Sequence, residues 1–108
     1  MVTNPKTATW TNPTQATDAN GVPVAFDPSQ DMAGIEIQLD DQPAVVVPAG
    51  VATSFDLTSL DAFKALSPGE HTLGLAIVTK EGTVGQFASG ATFQRAVIPL
   101  APTSLALA

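Results

Sequence analysis

The side chains able to do chemistry in this chain are few and scattered. His71 is the one histidine and there is no cysteine. It follows a Pro68-Gly69 turn at the start of an alternating segment, with no serine or cysteine partner spaced for nucleophilic catalysis. A structural or surface role is expected of it. Metal binding through the imidazole needs further ligands, and none stands at a recognisable spacing. Oxygen-rich segments occur at Asp18-Ala19-Asn20-Gly21, at Asp27 and Asp31, and at Asp40-Asp41. Calcium takes six to eight oxygens from such loops, but the EF-hand spacing with its distal glutamate is missing. Asp or Asn beside Gly is what tight turns require, so these read as turns and no metal is expected. Glu36 and Asp40 share a strand face, yet alternation turns that face outward, away from any cleft in which two carboxylates would act together. A Gly-rich phosphate loop and a Gly-x-Ser-x-Gly elbow are both missing from the sequence. Neither a catalytic residue nor a cofactor is expected, and the chain reads as a non-enzyme.

Composition narrows the partners. Ten acidic residues face Lys6, Lys64, Lys80 and Arg95, for a net charge of −6. Four scattered cations make no phosphate-binding stripe, so neither nucleic acid nor an anionic membrane surface is expected as a partner. Charged residues are 13% of the chain, about half the usual ~25%. Such a surface is covered by Thr, Ser, Gln, Asn and Ala, or by another protein. With 108 residues one domain and one core are expected. The first residues carry no apolar signal-peptide core, and the uncharged run 96–108 is shorter than the ~20 residues of a spanning helix. Synthesis in the cytoplasm is the expectation.

The elements that must position these residues are strands. Residues 68–79 alternate cleanly, with Leu73, Leu75 and Ile77 on one face and Thr72, Gly74, Ala76 and Val78 on the other. Residues 34–40 place Ile35, Ile37 and Leu39 inward. Residues 7–11, 22–26, 44–47, 53–57 and 83–94 complete about seven strands, the last with a break at Ala88-Ser89-Gly90-Ala91. Residues 14–23 read as a loop holding the Asp18–Gly21 turn signal, and 27–31 as another turn. Leu60, Phe63 and Leu66, spaced by three, predict a short helical turn over 59–66. Trp10, Phe55, Phe63, Phe87 and Phe93 are expected in the core, and Phe26 less firmly. Short strands at 8–12-residue spacing predict an all-β sandwich.

Trp10 followed by Asn12-Pro13-Thr14, the strand 34–40, Thr53-Ser54-Phe55-Asp56-Leu57, and Leu66-x-Pro68-Gly69-x-His71-Thr72-Leu73 together resemble a fibronectin type III-like, or immunoglobulin-like, β-sandwich domain over about residues 7–95. The resemblance implies a corner before the sixth strand that is tied by an aromatic hydroxyl. Here His71-Thr72 stands at that place, and the chain has no tyrosine. Only six residues precede the strand that would be second, which leaves the first-strand place short.

Residues 1–6 thus read as an N-terminal arm, 7–95 as the domain, and 96–108 as an apolar tail. The tail is expected to form a strand in its own domain, to fill the same place in a neighbour, or to stay disordered or dock on a partner, with Ile98, Leu100, Leu105 and Leu107 as the candidate contacts. Strand addition of this kind draws affinity from the backbone. The profile is similar to that of phage virion components such as capsid decoration or tail accessory proteins. That implies a structural role in a virion, with a major capsid or tail protein as partner, or further copies of this chain in a homo-oligomer. The alternative is a carbohydrate-binding or adhesive module of a larger extracellular protein, with its contacts on the loop 12–31 and at Trp10.

Overall fold

The computed structural model describes residues 1–88 and 90–108. Strands dominate, in the order β1 (Val2–Thr3), β2 (Thr7–Thr9), β3 (Gln15–Thr17), β4 (Pro23–Ala25), β5 (Met32–Leu39), β6 (Val45–Val47), β7 (Ser54–Asp56), β8 (Gly69–Thr79) and β9 (Ala91–Arg95). Two single helical turns, α1 (Pro28–Asp31) and α2 (Asp61–Lys64), and a 3-10 turn (Leu57–Ser59) interrupt them. Among the described residues no helix is long and apolar enough to cross a membrane.

Five strands form one sheet in the order β1-β9-β8-β5-β6, while β2–β7 and β3–β4 are two-stranded ribbons. The central pair is β5–β8, antiparallel, with Ile35 opposite Ile77, Ile37 opposite Leu75 and Leu39 opposite Leu73. Period-2 alternation explains the register: a one-residue slip would turn Ile35, Ile37 and Leu39, all under 5% exposed, out of the core. The chain enters β5 through an irregularity between Met32 and Gly34. Gly34 is needed there, because a Cβ would collide with the Val47 carbonyl oxygen.

One face of the large sheet carries both main buried clusters, while Ala76 and Val78 are buried on the other. Leu39, Leu57, Phe63 and Phe93 are buried together, with Ala8 of β2 and Phe55 of β7 packed against them. Beside them Met32, Ile35 and Ile37 are covered by Trp10, Phe26, Phe55 and Leu60. The β2–β7 ribbon, the 3-10 turn and α2 are therefore a second layer over this face. The predicted turn at 59–66 is split into two: Asp56 caps the 3-10 turn through the Thr58 amide and hydroxyl (2.9 and 2.6 Å), and α2 then drives Phe63 inward.

Four expectations are corrected. The loop predicted at 14–23 contains β3, which pairs with β4; Asp18 Oδ1 accepts the Asn20 and Val22 amides and closes that hairpin. Residues 1–6 are more than an arm, because β1 runs parallel to β9 with Val2 opposite Phe93. The strand predicted at 83–94 is reduced to β9 and an isolated Val78–Val84 bridge; of its expected break, Ser89 lies outside the described residues. Phe87 consequently leaves the core and is 39% exposed, its ring resting where Gly74 has no side chain.

Candidate functional site

Two features of the described chain go beyond what holding the fold requires, and both lie around β8, β9 and the C-terminal segment. The first is the segment after β9. Asn4, just past β1, clamps its root: the Asn4 amide nitrogen donates to the Ala96 carbonyl (2.9 Å), and the Ala96 N–H donates to Asn4 Oδ1 (3.0 Å). The Asn4 backbone N–H also donates to the Gln94 carbonyl (2.7 Å). Asn4 takes φ +49° to do this, a left-handed conformation that Asn tolerates better than most residues. Beyond the clamp every residue from 97 to 108 is exposed. Ile98 is 63% exposed, Leu100 93%, Leu105 87% and Leu107 98%. These four candidate contacts are not gathered into a pocket; they are displayed along an arm. None joins a strand, so the fold-back of 96–108 as the domain's own strand is not what the structure contains. The place beside β9 belongs to β1 instead.

The second feature is a corner at the start of β8. His71 Nδ1 lies 2.7 Å from Asp40 Oδ2, and Nε2 lies 2.7 Å from the Ser67 carbonyl oxygen. Asp40 follows β5 at φ +51°; its Oδ1 accepts the Thr72 N–H at 2.9 Å, and its own N–H donates to the Thr72 carbonyl. The hydrogen bond from His71 holds the Asp40 carboxyl below the usual carboxylate range, helped by the Thr72 amide. The same bond, then the one to Ser67, pushes the imidazole up from its ordinary value. The ring sits 5.8 Å from that of Phe93, which lies 5.7 Å from Phe63. Arg95 covers Phe63 from 4.6 Å, and its Nε has no hydrogen-bond partner among the described residues. A shallow, open cleft of about 240 Å³ lies between corner and arm, lined by Leu66, Pro68, Arg95, Ala96 and Val97.

The other candidates stay apart. Among the described residues no three His, Cys, Asp or Glu side chains are placed to hold a metal ion. Asp27 is occupied by the Ser29 amide and hydroxyl, and Asp31 accepts the Asp27 amide. Glu36 points to the face opposite the core, across from Ala76 and Val46. Trp10 is partly buried against the Met32, Ile35 and Ile37 cluster, and its Nε1 donates to Asn12 Oδ1 at 2.8 Å.

Sequence reasoning missed the Asp40–His71 pair because 31 residues separate the two. A signal was nonetheless available. Strands 34–40 and 68–79 are the two most regular, and pairing them antiparallel sets the end of one beside the start of the other. No family model matches the chain, no curated protein matches it, and no solved structure matches its fold.

Proposed function

We propose that this chain is a non-enzymatic assembly module, a β-sandwich that presents an apolar arm to a protein partner. The observation that carries the reading is the run from 97 to 108, uncharged and exposed at every position. Segments that stay free in water are polar or charged, whereas residues 97–108 hold Val97, Ile98, Leu100, Leu105 and Leu107 in solvent at 63–98% exposure. Covering them is the gain that a partner surface offers.

The strand order supports an immunoglobulin-like or fibronectin type III-like identity for the domain. In such sandwiches strands C, F and G share a sheet, which C′ extends in the variable type, and B and E lie in the other. Reading β5, β6, β8 and β9 as C, C′, F and G, and β2 and β7 as B and E, reproduces that division. His71 then closes the corner before the sixth strand by bonding the carbonyl four residues upstream, the task of the tyrosine hydroxyl in the family.

Within this class we favour a virion component such as a capsid decoration or tail accessory protein, with a capsid or tail protein or other copies of this chain as the partner. With only 13% of its residues charged, the surface leaves wide areas of small polar and apolar residues to pack against a partner, whereas fold alone assigns no function. The test is sedimentation velocity across a wide concentration range on the full chain and on a variant with Ile98, Leu100, Leu105 and Leu107 all changed to Ser. Self-association in the full chain that is lost in the variant is the expected result. Identical monomeric behaviour of the two removes self-assembly through the arm.

A further inference from the structure

The His71 corner has a property that its position as a simple turn brace does not require. Both atoms facing the imidazole, Asp40 Oδ2 and the Ser67 carbonyl oxygen, only accept hydrogen bonds. A neutral imidazole has one N–H and one lone pair. It satisfies one of these neighbours and turns a lone pair on the other at 2.7 Å. Only the imidazolium donates to both. The N–H retained on deprotonation is the one facing the carboxylate, since charge-assisted bonds are about twice as strong as neutral ones. The contact given up is therefore the one to Ser67.

We propose that His71 is a proton-operated latch: protonated, it fastens the 66–69 turn and the end of β5 to the start of β8, and on losing its proton it releases the turn at Ser67. Leu66 and Pro68, on either side of Ser67, wall the cleft at the root of the arm together with Arg95, Ala96 and Val97. Release thus loosens one side of that cleft. The inference stands apart from the assembly reading, because it concerns only the domain's own bonds.

The charged groups around the ring fix the direction. Asp40, from the end of β5, favours the charged imidazole, and Arg95, on β9, opposes it. Glu70 lies on the other face of β8, opposite Gln94; Asp41 is exposed in the next turn, and Lys64 is taken up by Asp61 at 3.4 Å. The His71 side chain is 11% exposed; its bond to Asp40 is partly buried, while the one to Ser67 lies at the surface. A histidine raised by folding stabilises the native state fully below its unfolded value, about 6.5. That contribution is lost as pH rises through the folded value. Asp40, depressed by folding, contributes above its unfolded value near 3.9, and the contribution goes as pH falls through the folded value. The latch is complete between about pH 4 and 6.5 and opens on the alkaline side.

The experiment follows the imidazole nitrogens and the backbone amides of residues 67–72 of the full chain by NMR between about pH 5 and 9, a window that spans the ordinary histidine value. The expected result is that His71 titrates above about 6.5, with the signals of Ser67, Gly69 and Glu70 moving along the same curve. Asp40→Asn lowers the midpoint, about tenfold in proton affinity for each pH unit, and carries the backbone transition down with it. His71→Tyr supplies a hydroxyl for the Ser67 carbonyl that does not titrate in this range, and its turn signals stay fixed. A midpoint at or below about 6.5, or turn signals that ignore the titration, overturns the proposal. Should His71→Tyr fail to fold, the Asp40→Asn shift decides alone.

Discussion

Single residues decide whether this fold closes, and Gly34 is the sharpest case. Its missing side chain lets β6 turn across the entry to β5, where a Cβ would collide with the Val47 carbonyl oxygen and stand 2.8 Å from the Ala49 nitrogen. Backbone cannot swing aside as a side-chain tip can. Gly34→Ala is therefore expected to cost about 1–3 kcal/mol or more, the range for overpacking a tight interior, read as a lowered midpoint in urea unfolding. An unchanged midpoint would mean that β6 moves freely. At the same scale the sequence shows which residues form the turns but not what they bond. Asp18-Ala19-Asn20-Gly21 is legible as a turn because Asp accepts nearby amides, and it does. The roles of Asp40 and His71 are not legible in either segment alone, since they depend on a register set by Leu39 meeting Leu73. What the structure shows there is a ring nitrogen of His71 bonded to the Ser67 carbonyl oxygen.

At the scale of elements, legibility tracks burial. β5 and β8 have alternating apolar residues that a one-residue slip would expose, and the sequence marks both to within about two residues, the usual uncertainty of element ends. β3 and β4 have burial patterns of exposed and half-exposed residues only, so no apolar period distinguishes β3 from a loop. The strand expected at 83–94 is cut short for a related reason. Thr83, Val84, Gly85, Gln86 and Phe87 stay near β8 through the Thr79–Thr83, Val78–Val84 and Ile77–Gly85 contacts, yet they do not continue as a ladder. The helical turn at 59–66 is readable from its spacing of three, and its purpose is to deliver Phe63, 1% exposed, between Leu39, Leu57 and Phe93. Phe63→Ala is expected to destabilise by about 3–5 kcal/mol, the cost of a large aromatic-to-alanine cavity. It also removes the ring beneath Arg95. Thermal unfolding by circular dichroism checks this, and a loss under about 1 kcal/mol, that of an ordinary surface change, would place Phe63 outside the core.

For the whole molecule the governing fact is extension. The radius of gyration is 18.3 Å and the principal extents are 75 × 26 × 21 Å, whereas a compact chain of this length would have a radius near about 13 Å. The arm is visible in the sequence as an uncharged run, but its course is not, because nothing in residues 96–108 says whether Leu105 and Leu107 pair with their own sheet. The structure gives the edge beside β9 to β1 and leaves the arm without one. The most direct measurement is solution mass by light scattering, from micromolar to millimolar, for the full chain and for a version ending at Ala96, with circular dichroism on both. Assembly through the arm predicts a folded, monomeric truncation beside a full chain whose mass rises with concentration. A truncation that fails to fold would make the arm part of its own domain, and two folded monomers would leave it with no role in self-assembly; either result contradicts assembly through the arm.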